Sequence, residues 1–328
     1  MKKIRRFINN SDINRFRFYT QIVLFGAVVY GGYFAIDLGN NLPTFSCAFL
    51  EKKIGNCYLF PLQHQAGLPV NQILSGRGLA LLIGVATFFL WFIALNKGWC
   101  GWVCPLGTLQ DWISRIRETL GVRYAEYSPE VFKKLGRIKY ILLALLILLP
   151  FGIGNHVLPH DLATPFCMIC PGRTILPLFN GDTSQLVIDF SSKSKMILTA
   201  MGMGMAGLFF TGSFFKKRFF CLFCPMSALH YIFSKASLLR LTKEGSKCTK
   251  CGNCYRACDV GIREIADDVV SRNIVKDDCV MCFKCVAACP EEGCLEVSML
   301  WAPLYKSTEE GFFKRIERRA GVEGSAIF

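Results

Sequence analysis

Charge is in short supply in this chain. Only 19% of its 328 residues are Asp, Glu, Lys or Arg, against about 25% in ordinary soluble domains. Four stretches, residues 18–36, 78–96, 140–158 and 196–215, contain none of the four. Each is close to the roughly 20 apolar residues that a bilayer span requires. One such run is commonly a buried core helix, but four together exclude the pair of ordinary soluble domains that the length would allow. No cleavable signal peptide is expected: residues 1–17 are basic but polar, and no small-residue cleavage site follows the first apolar run. That run therefore reads as a retained transmembrane helix. There is no Walker loop, dinucleotide fingerprint or hydrolase nucleophile constellation. The CxxCH signature of c-type haem attachment is absent as well.

What the chain has is apolar and basic residues in a definite arrangement. It is 52% hydrophobic, includes 28 Phe, and carries a formal charge of +14. The basic residues lie beside the apolar runs, so they fit anionic lipid head groups and the orientation of helices better than nucleic acid. Lys2, Lys3, Arg5, Arg6, Arg15 and Arg17 precede the first run, and Lys97, Arg115, Arg117, Arg123, Lys133, Lys134, Arg137 and Lys139 separate the second from the third. The other two connections are poorer: Lys52 and Lys53 in one, Arg173, Lys193 and Lys195 in the other. This bias predicts a multi-pass protein of the inner (cytoplasmic) membrane with both termini in the cytoplasm.

The membrane part repeats. Leu42, Thr44 and Cys47 recur as Leu162, Thr164 and Cys167, an offset of 120 that also carries Cys104-Pro105 to Cys224-Pro225 and Leu109 to Leu229. The expected fold is an α-helical membrane protein of four transmembrane helices in two parallel half-repeats, with a C-terminal two-cluster bacterial-ferredoxin-like α+β domain. The predicted boundaries are 1–17 for a basic tail, 18–120 and 121–241 for the half-repeats, 242–300 for the ferredoxin domain and 301–328 for a C-terminal tail. Leu106, Leu109, Ile113, Ile116 and Leu120 fall near helical spacing, predicting an amphipathic helix along the membrane surface or under the bundle. The Gly202, Gly204, Ala206, Gly207 cluster predicts close helix contact.

Seventeen cysteines, mostly in CxxC clusters of a long apolar chain, point to metal ligation rather than a disulfide scaffold. The strongest signal is Cys248-x2-Cys251-x2-Cys254-x3-Cys258, followed by Cys279-x2-Cys282-x2-Cys285-x3-Cys289-Pro290. This is the spacing of two-cluster bacterial ferredoxins, in which the fourth ligand of each [4Fe–4S] cubane comes from the other motif. Cys248, Cys251, Cys254 and Cys289 are thus expected to hold one cluster, and Cys279, Cys282, Cys285 and Cys258 the other. Zinc is the competing metal. Asp259 stands where proline usually follows the first motif, and Cys294 lies outside both motifs as an expected buried thiol.

Two further motifs follow the second and fourth runs: Trp99-Cys100-Gly101-Trp102-Val103-Cys104-Pro105-Leu106-Gly107 and Phe220-Cys221-Leu222-Phe223-Cys224-Pro225. With the tandem motif behind them, these resemble the NapH-type membrane polyferredoxins, a family that includes membrane subunits of periplasmic nitrate reductase and accessory proteins for nitrous-oxide reductase and cytochrome oxidase. The resemblance covers residues 78–115 and 196–290. The second motif is CxxCP where the family commonly has CxxxCP, and the cysteines of the outer loops are additional. Membership implies electron transfer between a quinol pool or redox partner proteins (a cytochrome, flavoprotein or periplasmic reductase) and cytoplasmic [4Fe–4S] clusters, so that the chain serves as a subunit of a quinol dehydrogenase or related complex.

Cys100, Cys104, Cys221 and Cys224 are candidates for an extra iron–sulfur cluster, or else a structural thiol group. Cys47, Cys57, Cys167 and Cys170, on the opposite membrane face, are candidates for an outer cluster, for disulfides, or for a redox-active CxxC dithiol. One or two additional clusters and a bound quinone are the candidate cofactors beyond the two ferredoxin clusters. Gln110 and Asp111 are candidates to face a quinone head group, or to serve a helical turn. His64, His156 and His160 are candidate proton acceptors or haem ligands, or plain loop residues. Trp99 and Trp102 read as interfacial anchors. The alternative functions are a transmembrane thiol–disulfide relay and an accessory role in maturing a periplasmic metalloenzyme.

Overall fold

The computed structural model describes residues 12–34, 46–51, 54–55, 57–69, 76–125, 128–158, 164–275, 278–300 and 302–325. The first part runs α1 (Ile13–Tyr30), α2 (Leu59–Ala66), α3 (Gly76–Leu95), α4 (Gly98–Trp102), α5 (Pro105–Thr119), α6 (Pro129–Gly154), α7 (Pro165–Ile169), α8 (Pro171–Leu178), α9 (Lys193–Phe215) and α10 (Pro225–Phe233). The remainder is β1 (Leu239–Lys243), the single turns α11 (Asn253–Arg256), α12 (Glu264–Asp267) and α13 (Lys284–Ala287), then β2 (Leu295–Met299), β3 (Ala302–Lys306) and α14 (Glu309–Ser325). Among the described residues, two helical segments, Glu130–Gly154 and Lys193–Phe215, are long and apolar enough to cross a membrane. Residues 35–36 of the first expected span, 40–45 and 160–163 of the repeated loops, His160 among them, and 1–11 of the basic tail lie outside the described residues.

Helix boundaries follow from local chemistry. Asp12 caps α1 by accepting the Asn14 N–H at 3.0 Å, and Ser128 caps α6 ahead of Pro129. Three helices, α5, α8 and α10, begin at a proline that follows a cysteine. Proline suits the first helical position and disfavours the helical conformation in the residue before it. Cys104, Cys170 and Cys224 accordingly take ψ values of 119°, 129° and 116° and stand as N-caps.

Packing departs from the sequence expectation at three places. On α5 the buried face includes Thr108, Leu109, Gln110, Ser114 and Arg117, while Ile116 and Leu120 are exposed. Gly202 lets α9 approach α7 closely, since a Cβ there would overlap the Met168 carbonyl oxygen, but Gly204 and Gly207 face open space. Trp102 is not a lipid anchor: its indole N–H donates to the Met281 carbonyl at 2.9 Å.

The C-terminal part is a three-stranded antiparallel sheet, β1-β2-β3, with Leu239 opposite Met299 and Lys243 opposite Leu295. Both cysteine motifs lie between β1 and β2. The sheet joins the helices through β1, where the Leu238 N–H donates to the Ile93 carbonyl at 2.6 Å and Asn96 to Leu239 at 3.2 Å. The ferredoxin core continues across this junction, since Ile13 and Leu222 are buried in it and Cys100 and Trp102 pack against it.

Candidate iron–sulfur sites

The two ferredoxin motifs wrap their cysteines in the same way. Lys250 and Met281, each two residues after the first cysteine of its motif, are left-handed with φ of 56° and 48°. Gly252 and Phe283, each following the second cysteine, have φ of 75° and 62°. These reversals turn successive thiols toward a common volume. The Cβ of an L-residue makes left-handed backbone cost about 1–2 kcal/mol outside glycine, so packing must hold Phe283 there; its ring sits 5.8 Å from that of Trp102. Cys248, Cys251, Cys254 and Cys289 line one small cavity, together with the buried Cys294. Cys285 interacts electrostatically with Cys282, Cys279 and Cys258. Each motif's fourth cysteine is thus brought to the other motif's first three. Among the described residues no three His, Cys, Asp or Glu side chains close on a point that a single metal ion would fill. Thiols spread around a larger volume fit a cubane better than one tetrahedral zinc, whose Zn–S bonds are about 2.3 Å.

The other eight cysteines were expected in two layers on opposite membrane faces. The structure corrects this: Cys47, Cys57, Cys100, Cys104, Cys167, Cys170, Cys221 and Cys224 all line one apolar cavity. The reason is that α2, α7 and α8 fold inward instead of looping over the surface. Tyr58 and Leu59 pack in one core with Met226, Ala228 and Leu229, and Leu50, Ile175 and Leu176 in another with Leu109 and Phe220.

Within the cavity the thiols form two compact sets. Cys100 interacts with Cys104, Cys221 and Cys224, and Cys104 with Cys221. Cys170 interacts with Cys47, Cys167 and Cys57, and Cys57 with Cys167 and Cys47. The sets adjoin, because Cys57 also senses Cys224. Gln110, a candidate to face quinone, is buried and engaged: its amide donates to Cys221 Sγ at 3.5 Å and its oxygen accepts the Phe220 N–H at 2.9 Å. Asp111 is engaged too, in ion pairs with Arg17 and Arg218. His64 lies exposed on α2 with its ring against Phe60. His156 has a left-handed backbone, φ 60°, beyond the end of α6.

A buried polar network that motif spacing did not reveal joins the cavity to the ferredoxin domain. The Gly101 carbonyl accepts from Arg17 Nε at 3.0 Å and from Gln21 at 3.0 Å, while Arg218 Nη1 donates to the Cys100 carbonyl at 2.8 Å. Arg218 grips Asp111 at 2.9 and 2.6 Å. Arg17 continues to Asp259 at 3.2 Å, and Asp259 pairs with Lys284 at 2.6 Å. Burial opposes the charge on Asp111, yet the guanidiniums of Arg17 and Arg218 hold its carboxyl below the usual carboxylate range. Burial likewise opposes Asp259, and Lys284 and Arg17 outweigh it. The glycines of the WCGWVCPLG run serve this junction. A Cβ at Gly101 would overlap the Val280 carbonyl, and one at Gly107 would lie 2.5 Å from the Arg218 guanidinium. Two polar residues one turn apart on the apolar α1, Arg17 and Gln21, are the sequence signal that could have pointed here.

Two interlocked cysteine motifs in a β-bracketed fold define a ferredoxin-type iron–sulfur protein. The comparisons agree. The pattern of the 4Fe-4S binding domain matches residues 77–123 and again 198–244, and that of the 4Fe-4S dicluster domain matches residues 240–290. An uncharacterised protein of Methanocaldococcus jannaschii is 25% identical over 69% of this chain and 82% of its own length. The protein NirI of Paracoccus denitrificans is 27% identical over 68% of this chain but 30% of its own length. The ferredoxin-type protein NapH of Haemophilus influenzae is 25% identical over 64% and 66% respectively. No solved structure matches the chain. It resembles the NapH-type polyferredoxins over about two thirds of its length, and its 4Fe-4S domains mark it as an iron–sulfur electron-transfer protein.

Proposed function

We propose that the chain is an integral membrane electron-transfer subunit of four transmembrane helices. Electrons pass between a quinol pool or redox partner proteins and two cytoplasmic [4Fe–4S] clusters, held by Cys248, Cys251, Cys254, Cys289 and by Cys279, Cys282, Cys285, Cys258. A further cluster at Cys100, Cys104, Cys221 and Cys224 connects them to the membrane. A thiolate-held cubane supplies a one-electron store whose potential is set by burial and by hydrogen bonds to sulfur. The residues of this chain provide the connection. The observation that carries the reading is the seating of the Cys279–Cys282 loop on the Cys100–Cys104 loop. Val280 lines the eight-cysteine cavity, its carbonyl abuts Gly101, and the next carbonyl, of Met281, accepts from Trp102. Lys97, buried at the junction, interacts with Cys100 on one side and Cys279 on the other. Lys139 of α6 anchors the same loop through Asp278 at 2.5 Å.

The test is reduction of anaerobically purified protein by a quinol analogue, followed by EPR of the ferredoxin clusters. Reduction is expected in the wild type and is expected to be lost in Cys100→Ser, with the ferredoxin signals still obtainable with dithionite. Gly101→Ala is expected to keep its full iron content while slowing that reduction, because the new methyl drives the two loops apart. If no quinol analogue reduces any cluster, the quinol reading fails. If Cys100→Ser reduces as the wild type does, the connecting cluster fails.

A further inference from the structure

The patterns of the known domains leave four cavity cysteines unassigned, since Cys47, Cys57, Cys167 and Cys170 lie outside every matched range. We propose that these four hold a [4Fe–4S] cluster of their own, built on the same plan as the set of Cys100, Cys104, Cys221 and Cys224 and adjoining it in one cavity. The proposal deepens the preceding reading and rests on it, because the second set is the template.

The plan is a unit that occurs four times. Each unit is a cysteine pair whose second member precedes a helix: Cys47 and Cys57 before α2, Cys100 and Cys104 before α5, Cys167 and Cys170 before α8, Cys221 and Cys224 before α10. First-turn backbone amides donate to each second cysteine: Leu59 to Cys57, Gly107 and Leu106 to Cys104, Gly172 to Cys170, Ser227 and Met226 to Cys224. Each of these helices has eight residues or more. Four helix N-termini, with their partial positive charge, are therefore turned on thiols lining one cavity, two in each set.

The side chain six positions after each second cysteine repeats the plan. Gln63 follows Cys57 by six, and Gln110 follows Cys104 by six. Gln63 donates to Cys167 Sγ at 3.1 Å and to the Leu59 carbonyl at 3.0 Å, and accepts the Phe166 N–H at 3.2 Å. Gln110 donates to Cys221 Sγ at 3.5 Å and to the Leu106 carbonyl at 3.3 Å, and accepts the Phe220 N–H at 2.9 Å. All three bonds correspond, and in both cases the sulfur reached belongs to the opposite half of the molecule. At the third equivalent position His230 lies with Nδ1 3.5 Å from Cys100 Sγ. Only the fourth, Leu176, is apolar. Both glutamines are fully buried. A buried amide directed at a thiol in an apolar cavity is costly unless partnered, and hydrogen bonds of this kind tune thiolate-held clusters.

Charge is matched as well. Arg173 interacts with Cys47 and Cys167 in one set, and Arg218 with Cys104 and Cys221 in the other. Arg173 lines the cavity, with its Nε bonded to Gln185 at 2.8 Å. A cluster in each set would exchange single electrons with its neighbour, one oxidised as the other is reduced, with no proton or bond transferred.

Anaerobically purified full-length protein is expected to contain about sixteen irons and as many acid-labile sulfides, four of each per cubane. The double variant Cys167→Ser/Cys170→Ser is expected to lose about four irons and Cys221→Ser/Cys224→Ser a spectroscopically different four. About twelve irons, lost only through the Cys221 pair, would overturn the proposal and leave the preceding reading standing. Loss only through the Cys167 pair would support it and sink the connecting cluster instead. About eight irons, unchanged by either double variant, would overturn both. A disulfide within Cys47, Cys57, Cys167 and Cys170 in anaerobic protein also overturns it. A measurement independent of cysteine substitution is Gln63→Leu, expected to keep the iron and lower one midpoint potential, while Gln110→Leu lowers another. A Gln63→Leu protein with every potential unmoved counts against the site.

Discussion

Asp259 stands where the first ferredoxin motif usually continues with proline, and the structure gives that exchange a physical purpose. Its carboxylate, 4% exposed, lies between Arg17 of α1 and Lys284 of α13, so a residue of the cluster motif ties the ferredoxin domain to the first helix. Removing one partner from a buried ion pair typically costs about 3–5 kcal/mol, because the remaining charges stay buried. Asp259→Asn is expected to lower thermal stability by a cost of that order, read by melting of the detergent-solubilised protein, with all cysteine ligands untouched. Asp111 makes the complementary prediction for pH. Its folded carboxyl lies below the unfolded value of 3.8, so its contribution to stability is complete above that value and is lost as pH falls. Melting temperature should therefore drop from about pH 5 downward in the wild type and more shallowly in Asp111→Asn, which has already lost the pair.

At the scale of elements, proline and cysteine were the most legible features. The Cys-Pro steps mark where α5, α8 and α10 begin, because proline dictates the backbone on both sides of itself. Periodicity located α5 as well, but not the face it buries. The helix turns Ile116 and Leu120 outward and keeps Gln110, Ser114 and Arg117 inside, and hydrophobic spacing does not distinguish that from the reverse. The Gly202 cluster was legible only in part, since contact is confined to the position where α9 crosses the Met168 carbonyl. Gly202→Val is expected to destabilise by about 1–3 kcal/mol through overpacking, and by displacing α7 to disturb Cys167, whereas Gly204→Val, in open space, is expected to be nearly silent in the same melt.

For the whole molecule, cysteine spacing suggests the proposed ferredoxin ligand sets, since their cysteines lie on two loops. It did not reveal the single cavity, because the segments carrying Cys47, Cys57, Cys167 and Cys170 read as loops outside the apolar runs, and only tertiary packing carries them inward. The offset of 120 points to a duplication of the halves; the likeness of the two thiol sets was hidden because the cysteine pairs themselves are unequally spaced, ten residues apart in Cys47 and Cys57 but four in Cys100 and Cys104. The basic bias around the helices predicts where the domains lie. Protease added to inverted membrane vesicles should remove the ferredoxin domain, and protease added to right-side-out vesicles should leave it intact. Cleavage from the second side would overturn the orientation.

The seating of Val280 also makes the two cysteine regions share a surface. The Cys279–Cys282 loop, lying against Gly101, forms one wall of the eight-cysteine cavity, and the Arg17–Asp259–Lys284 pairs hold it there. Any displacement of the ferredoxin domain therefore alters both surroundings at once: a movement that withdraws Val280 opens the cavity on that side and shifts Cys279 and Cys282 with it.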